Sequence, residues 1–194
     1  MRRLIAVVLV VVFAAPCLAS ERAETIYDVV KPSYEPPVPG PVFDGCRDIL
    51  WDNGPSETSP GLSVLQTDLG MGTYGFGHQT TYGYMIADDF TVPAGETWEV
   101  SDITFFAYQT GSPTNPSTFI AYYVTIWDGS PDLMTSSIVW GDMSINVLST
   151  SVWTGVYRVV DYDLGATNRP IMANTCQVGT TLPAGEYWVV WQAD

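Results

Sequence analysis

The chain is poor in the residues that charge-driven and histidine-based chemistry needs. Its 194 residues include 7 Lys and Arg, 1 His and 3 Cys against 21 Asp and Glu, and the formal net charge is −14. A protein this acidic lacks the basic patch that binds phosphates, so a nucleic-acid partner is excluded. An anionic membrane surface would repel it. A single histidine also excludes a three-histidine zinc site.

Patterns for catalysis and for helices are missing as well. The sequence contains no Gly-x-Ser-x-Gly motif of the α/β-hydrolase type, and no stretch has apolar residues at helical spacing over three turns. The nearest group of acids is Glu96, Glu99 and Asp102, whose spacing of three residues alternates faces in a strand. Such acids do not converge as a glycosidase pair must. We therefore predict no catalytic residues and keep an accessory or hydrolytic domain as an alternative.

The first 19 residues predict a secretory signal peptide. Arg2 and Arg3 precede the apolar run "LIAVVLVVVFAAP", and Cys17 and Ala19 supply the small residues required before a cut that makes Ser20 the new terminus. Loss of the two arginines takes the formal charge from −14 to −16. We expect a secreted or cell-surface protein. No second apolar run of spanning length follows, so we expect no membrane insertion of the mature chain.

The rest of the chain divides into a leader and a domain. Residues 20–45 are rich in proline and lack apolar periodicity, which indicates a flexible or polyproline-like linker. From residue 46 to 194, short β-branched and aromatic runs alternate with turn residues. This pattern predicts an all-β, antiparallel, jelly-roll-like β-sandwich. The clearest strands are 97–108, 118–128, 137–142, 155–162 and 185–192. In the first, the inward parity changes near Ser101 and Asp102, which predicts a bulge.

A phrase repeated ninety residues apart calls for an explanation. Residues 91–100 read "TVPAGETWEV" and residues 181–190 read "TLPAGEYWVV". Proline followed by glycine predicts a tight turn that leads into a strand. We interpret the phrase as scaffold, with both Trp98 and Trp188 buried and Glu96 and Glu186 in supporting roles.

The glycine- and tyrosine-rich segment 70–84 is the candidate ligand site. Its flexible backbone carries aromatic rings suited to stacking on a sugar, and it includes the single histidine: Tyr74, Phe76, His78, Tyr82 and Tyr84. The alternatives are core packing for the aromatic rings and an ordinary loop position for the histidine. A glycan or another cell-surface component is the expected partner.

Two further sites depend on carboxylates and thiols. Asp161 and Asp163 in "DYDLGATN" could bind a structural Ca²⁺ through oxygen ligands, although they also fit turn chemistry. No other cofactor is expected. Cys46 and Cys176 remain as an even pair after export and predict one disulfide in an oxidising compartment. Two free thiols and half a metal site are the competing interpretations.

Several motifs resemble a domain common in exported bacterial proteins. They are "ADDFTVPAGETWEVSDITFFAYQTG", "VTIWDGSPD", "VWGD", "YRVVD", "RPIM" and "LPAGEYWVVWQ", and they cover about residues 50–194. The resemblance implies framework residues and no specific activity. Members of that family continue beyond the last motif. An apolar final strand next to Asp194 would also present an unpaired edge, so we expect a fragment that lacks later strands.

Overall fold

The computed structural model describes residues 5–16 and 47–194, and it confirms the all-β class. Within these residues there are eight strands, two 3-10 turns and no α-helix. The strands are β1 (Ile5–Pro16), β2 (Arg47–Asp52), β3 (Leu62–Leu65), β4 (Ile86–Gln109), β5 (Tyr122–Trp127), β6 (Ile138–Gly141), β7 (Leu148–Val160) and β8 (Pro170–Ala193). The 3-10 turns are Thr67–Leu69 and Thr80–Tyr82. No helix in the described part is long and apolar enough to cross a membrane.

The strands pair in the order β2-β1-β4-β8-β5-β6. Strand β7 also pairs with β8, on the same side as β5. All these pairings are antiparallel, whereas β3 runs parallel to β7. Strand β8 pairs with β4 on one side and with β7 and then β5 on the other. The expected unpaired edge on the final strand is therefore wrong, because β8 lies inside the sheet.

Strands β4 and β8 form a long bent ribbon whose halves face each other. Phe105 pairs with Asn174 in the first half of β8, yet its ring centroid lies 4.9 Å from that of Trp191 in the second half. Tyr122 of β5 stacks on the same Phe105 ring at 5.5 Å. These contacts close a sandwich around one core, in which Phe105, Tyr122 and Trp191 are almost fully buried.

The two copies of the repeated phrase pair with each other across this ribbon. Val92 is opposite Gly185 and Trp98 is opposite Leu182. The first copy leaves residues 93–96 outside the pairing, with Gly95 at φ +88°, a left-handed conformation that glycine adopts without strain. In the second copy only residue 184 is skipped between paired positions. The phrase is thus a packing device at the bend of the sandwich.

The two copies of the phrase bulge unequally, so the prediction that both tryptophans are buried is wrong for one of them. Trp98 is buried, with 6% of its surface exposed, as expected. Trp188 is only partly buried, while its neighbours Tyr187 and Val189 belong to the core. Tyr187 and Trp98 both stack on Phe90, at 5.6 and 6.3 Å. Tyr187 therefore takes the inward place that the sequence assigned to Trp188.

The change of parity in β4 is where the sequence predicts it. The β4/β8 register shifts between Val100 and Asp102, and Val100, Ile103 and Phe105 are all buried. A bulge at this point allows residues of both parities to face the core.

Strand β1 lies within the predicted signal peptide. Its backbone pairs with β4, from Ile5 opposite Gln109 to Ala14 opposite Asp102, and with β2 on its other side. In the full-length chain this segment is thus a member of the sheet, which extends beyond the predicted domain of residues 46–194. Cleavage after Ala19 stays a prediction.

Candidate ligand-binding groove

The glycine-rich segment is fastened to the sandwich by two buried residues in its middle. The carbonyl oxygen of His78 accepts a hydrogen bond of 2.8 Å from the backbone N–H of Ala193, and Gln79 forms a parallel bridge with the same residue. His78 and Gln79 are 0% and 2% exposed. The Nε2 atom of His78 lies 3.3 Å from the hydroxyl of Tyr122. The loop is therefore anchored to the end of β8 and to the core.

A short turn after this anchor presents two tyrosine rings to solvent. The 3-10 turn Thr80–Tyr82 ends at Gly83, whose φ of +67° reverses the chain, and the amides of Tyr82 and Tyr84 both donate to the carbonyl of Gln79. The rings of Tyr82 and Tyr84 stack with centroids 5.6 Å apart and planes inclined by 27°. They are 40% and 52% exposed. Their stacking and the fixed turn hold them as a pair without burying them.

An open groove of about 570 Å³ runs beside this pair. Its walls are formed by Phe76, Gly77 and residues 83–87. Phe76 is 65% exposed and Met85 is 57% exposed. We call this surface, with the adjoining ring of Tyr82, the aromatic groove. An exposed apolar surface with several rings on one side is typical of a binding site.

Gly77 lets the loop pass tightly over a buried amide. A Cβ atom at this position would lie 2.8 Å from Oε1 of Gln79 and 3.2 Å from Cδ2 of Tyr84. The amide of Gln79 is thus next to two residues that line the aromatic groove. Neither its oxygen nor its nitrogen has a hydrogen-bond partner in the described structure.

His78, a member of the predicted ligand set, does not line the groove. Its side chain is fully buried between Tyr122 and Phe119, whose ring centroid is 6.5 Å away. Burial lowers the pKa of His78 to about 4, so the imidazole is neutral near pH 7. His78 therefore positions the loop from within the core.

Tyr74 lies at a different place from the other predicted rings. Its carbonyl accepts a hydrogen bond of 3.1 Å from Nε of Arg158, and its ring lies 4.3 Å beneath the guanidinium carbon of Arg169. It lines a separate pocket with Tyr162 and Arg169. The predicted set of five residues is therefore divided: Phe76, Tyr82 and Tyr84 come together, whereas Tyr74 and His78 do not join them.

The carboxylate of Asp161 is engaged by the chain itself. Its Oδ1 accepts a hydrogen bond of 2.6 Å from the Thr67 hydroxyl, and its Oδ2 accepts one of 2.9 Å from the Asp68 amide. These bonds hold the pKa of Asp161 at about 2. Asp163 is exposed, and within residues 48–194 no three His, Cys, Asp or Glu side chains are grouped as a metal would require. The Asp161 side chain thus links the loop after β7 to the 3-10 turn at residues 67–69.

The predicted disulfide is untested because Cys46 lies outside the described residues. Cys176 has no disulfide partner within the described residues and is fully buried in the core. Burial raises the pKa of Cys176 well above its ordinary value, which favours the protonated form of the thiol.

The sequence gives little sign of two members of the site. Gln79 is one of several polar residues in its loop, and Met85 looks like the start of the next strand. The spacing of Gly77 and Gly83 around Gln79 is the one available signal, since glycine marks a close approach or a left-handed turn.

Comparisons with known proteins add no information about the site. No protein-family model, curated protein or solved structure matches this chain.

Proposed function

We propose that this protein is a secreted, non-catalytic module that binds a neutral saccharide in the aromatic groove. The observation that carries the proposal is the stacked, exposed pair Tyr82 and Tyr84 on a loop anchored to the core. A flat, partly apolar sugar face packs well against such rings, and rings held in place lose little entropy on binding.

The groove also has the polar groups that fix a sugar's orientation. Tyr84 lines the groove, and its phenol hydroxyl is a group that can donate and accept hydrogen bonds. The buried amide of Gln79 lies against Gly77 and supports this wall from the inside. A mainly apolar wall with a few polar groups is the usual composition of a small-ligand site.

The residues that line the groove favour binding without chemistry. Among the described lining residues there is no carboxylate, imidazole or nucleophilic side chain. Glycoside hydrolysis needs two carboxyl groups about 5 to 9.5 Å apart across the bond to be cut. The groove therefore supports recognition of a saccharide and not its hydrolysis.

Export to the cell exterior agrees with this role. The signal-peptide pattern of residues 1–19 and the acidic mature chain are those of a soluble exported protein. Neutral polysaccharides and cell-surface glycans are then the ligands within reach.

A glycan array and pull-down with insoluble polysaccharides test the proposal. We expect the exported protein to bind at least one neutral glycan, and the Tyr82→Ala/Tyr84→Ala variant to lose that binding. Met134→Ala is the matched control, because Met134 is fully exposed and lies outside the aromatic groove. Equal binding by the double variant and the wild type would contradict the proposal.

A further inference from the structure

The only two cations of residues 48–194 are neighbours at one end of the sandwich. They are Arg158 on β7 and Arg169, which precedes β8. The backbone N–H of Arg158 donates to the carbonyl of Arg169 at 2.9 Å. In a chain of net charge −14, this is a local concentration of positive charge.

Arg158 is held by uncharged acceptors. Its Nε donates to the Tyr74 carbonyl at 3.1 Å, and its Nη1 donates to the Ser63 hydroxyl at 3.2 Å. Burial lowers the pKa of Arg158, and the nearby charge of Arg169 lowers it further. The guanidinium thus fixes the loop at Tyr74, and its charge is not neutralised by a carboxylate within the described residues.

Arg169 lies with one face on the Tyr74 ring and an edge on an open pocket. Its guanidinium carbon is 4.3 Å from the ring centroid, and Nη1 donates to Oδ1 of Asn168 at 3.3 Å. The pocket has a volume of about 540 Å³ and is bordered by Tyr74, Tyr162 and Arg169. No carboxylate of the described chain forms an ion pair with Arg169, so donors of its fork remain for a ligand.

We propose that this pocket is a second binding site, which takes a uronic acid residue of an acidic saccharide. The guanidinium fork of Arg169 meets the carboxylate, because its parallel N–H groups match two carboxylate oxygens. The exposed ring of Tyr162 packs on the pyranose face. The stacked Tyr74 ring keeps the guanidinium plane fixed, so less side-chain entropy is lost on binding.

The negative charges near the pocket should limit how tightly it binds a uronate. Asp163 also borders the pocket and is exposed. Its carboxylate would repel a bound uronate, so removing that charge should tighten binding. The acidic chain as a whole gives no long-range attraction for anions, and recognition must come from short-range contacts with Arg169.

Isothermal titration of the exported protein with sodium glucuronate and galacturonate, against glucose and galactose, tests this site. We expect binding of a uronate with preference over its neutral counterpart. Arg169→Gln should weaken uronate binding by about tenfold, the effect of losing a charge-assisted pair of hydrogen bonds. Arg169→Lys should restore it in part, and Asp163→Asn should strengthen it.

Two controls separate this inference from the aromatic groove. Tyr82→Ala/Tyr84→Ala should leave uronate affinity unchanged, and Arg169→Gln should leave neutral-glycan binding unchanged and the protein folded. Equal affinity for uronate and neutral sugar, or uronate binding that survives Arg169→Gln, would overturn the second site and leave the groove proposal standing.

Discussion

The indole Nε1 of Trp98 donates a hydrogen bond of 2.9 Å to Oε2 of Glu96, two residues earlier in the same phrase. This bond ties the bulge at residues 93–96 to a ring that is buried against Phe90. It gives Glu96 a structural partner inside the turn, as the scaffold interpretation expects of the first copy.

The two tryptophans of the repeat should differ in their effect on stability. Trp98→Ala removes a buried ring and should lower the free energy of unfolding by about 3 to 5 kcal/mol. Trp188→Ala removes a partly exposed ring and should cost about 1 kcal/mol. Urea denaturation of both variants gives the comparison. Equal losses of unfolding free energy in the two variants would contradict the difference in burial between Trp98 and Trp188.

The buried His78 should make stability depend on pH. Burial lowers its pKa from 6.5 to about 4, so the unfolded chain takes up a proton at a higher pH than the folded protein does. The free energy of unfolding should therefore fall by about 3 kcal/mol as the pH drops from 6.5 to 4, and the full contribution is present at neutral pH.

Chemical denaturation of wild type and His78→Gln across this window measures that contribution. Glutamine keeps a hydrogen-bonding side chain and does not titrate, so the variant should show a flatter dependence between pH 4 and 6.5. Identical curves for the two proteins would show that His78 is not the titrating group.

Two buried amides with opposite surroundings provide a matched pair. Asn174 donates to the carbonyls of Phe105 and Met172 and accepts from the Ser151 hydroxyl, whereas Gln79 has no partner. Asn174→Leu should cost about 2 to 4 kcal/mol, because it leaves buried groups unpaired. Gln79→Met should raise the free energy of unfolding by about 1 kcal/mol, since it removes an unpaired polar group. Thermal unfolding measures both, and a large loss on Gln79→Met would reveal a structural role for that amide.

Calcium should have no effect on stability. Both carboxylate oxygens of Asp161 already accept hydrogen bonds from Thr67 and Asp68. The melting temperature should be the same in calcium and in EDTA, and Asp161→Ala should lower it in both. A fall in melting temperature on chelation would instead support the calcium site that the sequence suggested.

Sequence patterns predicted the local features of the fold better than its long-range ones. Alternating apolar residues located the bulge near Ser101, because parity is a property of the strand itself. The inward place taken by Tyr187 instead of Trp188 depends on unequal bulges in two paired strands, which neither copy of the phrase reveals alone. The paired position of the final strand also depends on distant partners, β4 and β5.

The candidate site was predicted in part for the same reason. Glycine-rich spacing and aromatic residues identified the loop that carries Phe76, Tyr82 and Tyr84. Tyr74 is two residues from Phe76, yet it faces another pocket because Arg158, 84 residues further along the chain, holds its carbonyl. His78 is buried by contacts with Tyr122 and Ala193, which no pattern within the loop could indicate.

Chemical-shift mapping of the isotope-labelled protein tests the central claim most directly. An oligosaccharide identified on the glycan array is titrated into the protein, and the backbone amide signals are followed by NMR. We expect the largest shifts on residues 76–77 and 82–87, which form the aromatic groove, and we expect them to vanish in the Tyr82→Ala/Tyr84→Ala variant. Shifts centred elsewhere on the sandwich, or unchanged in that variant, would contradict it.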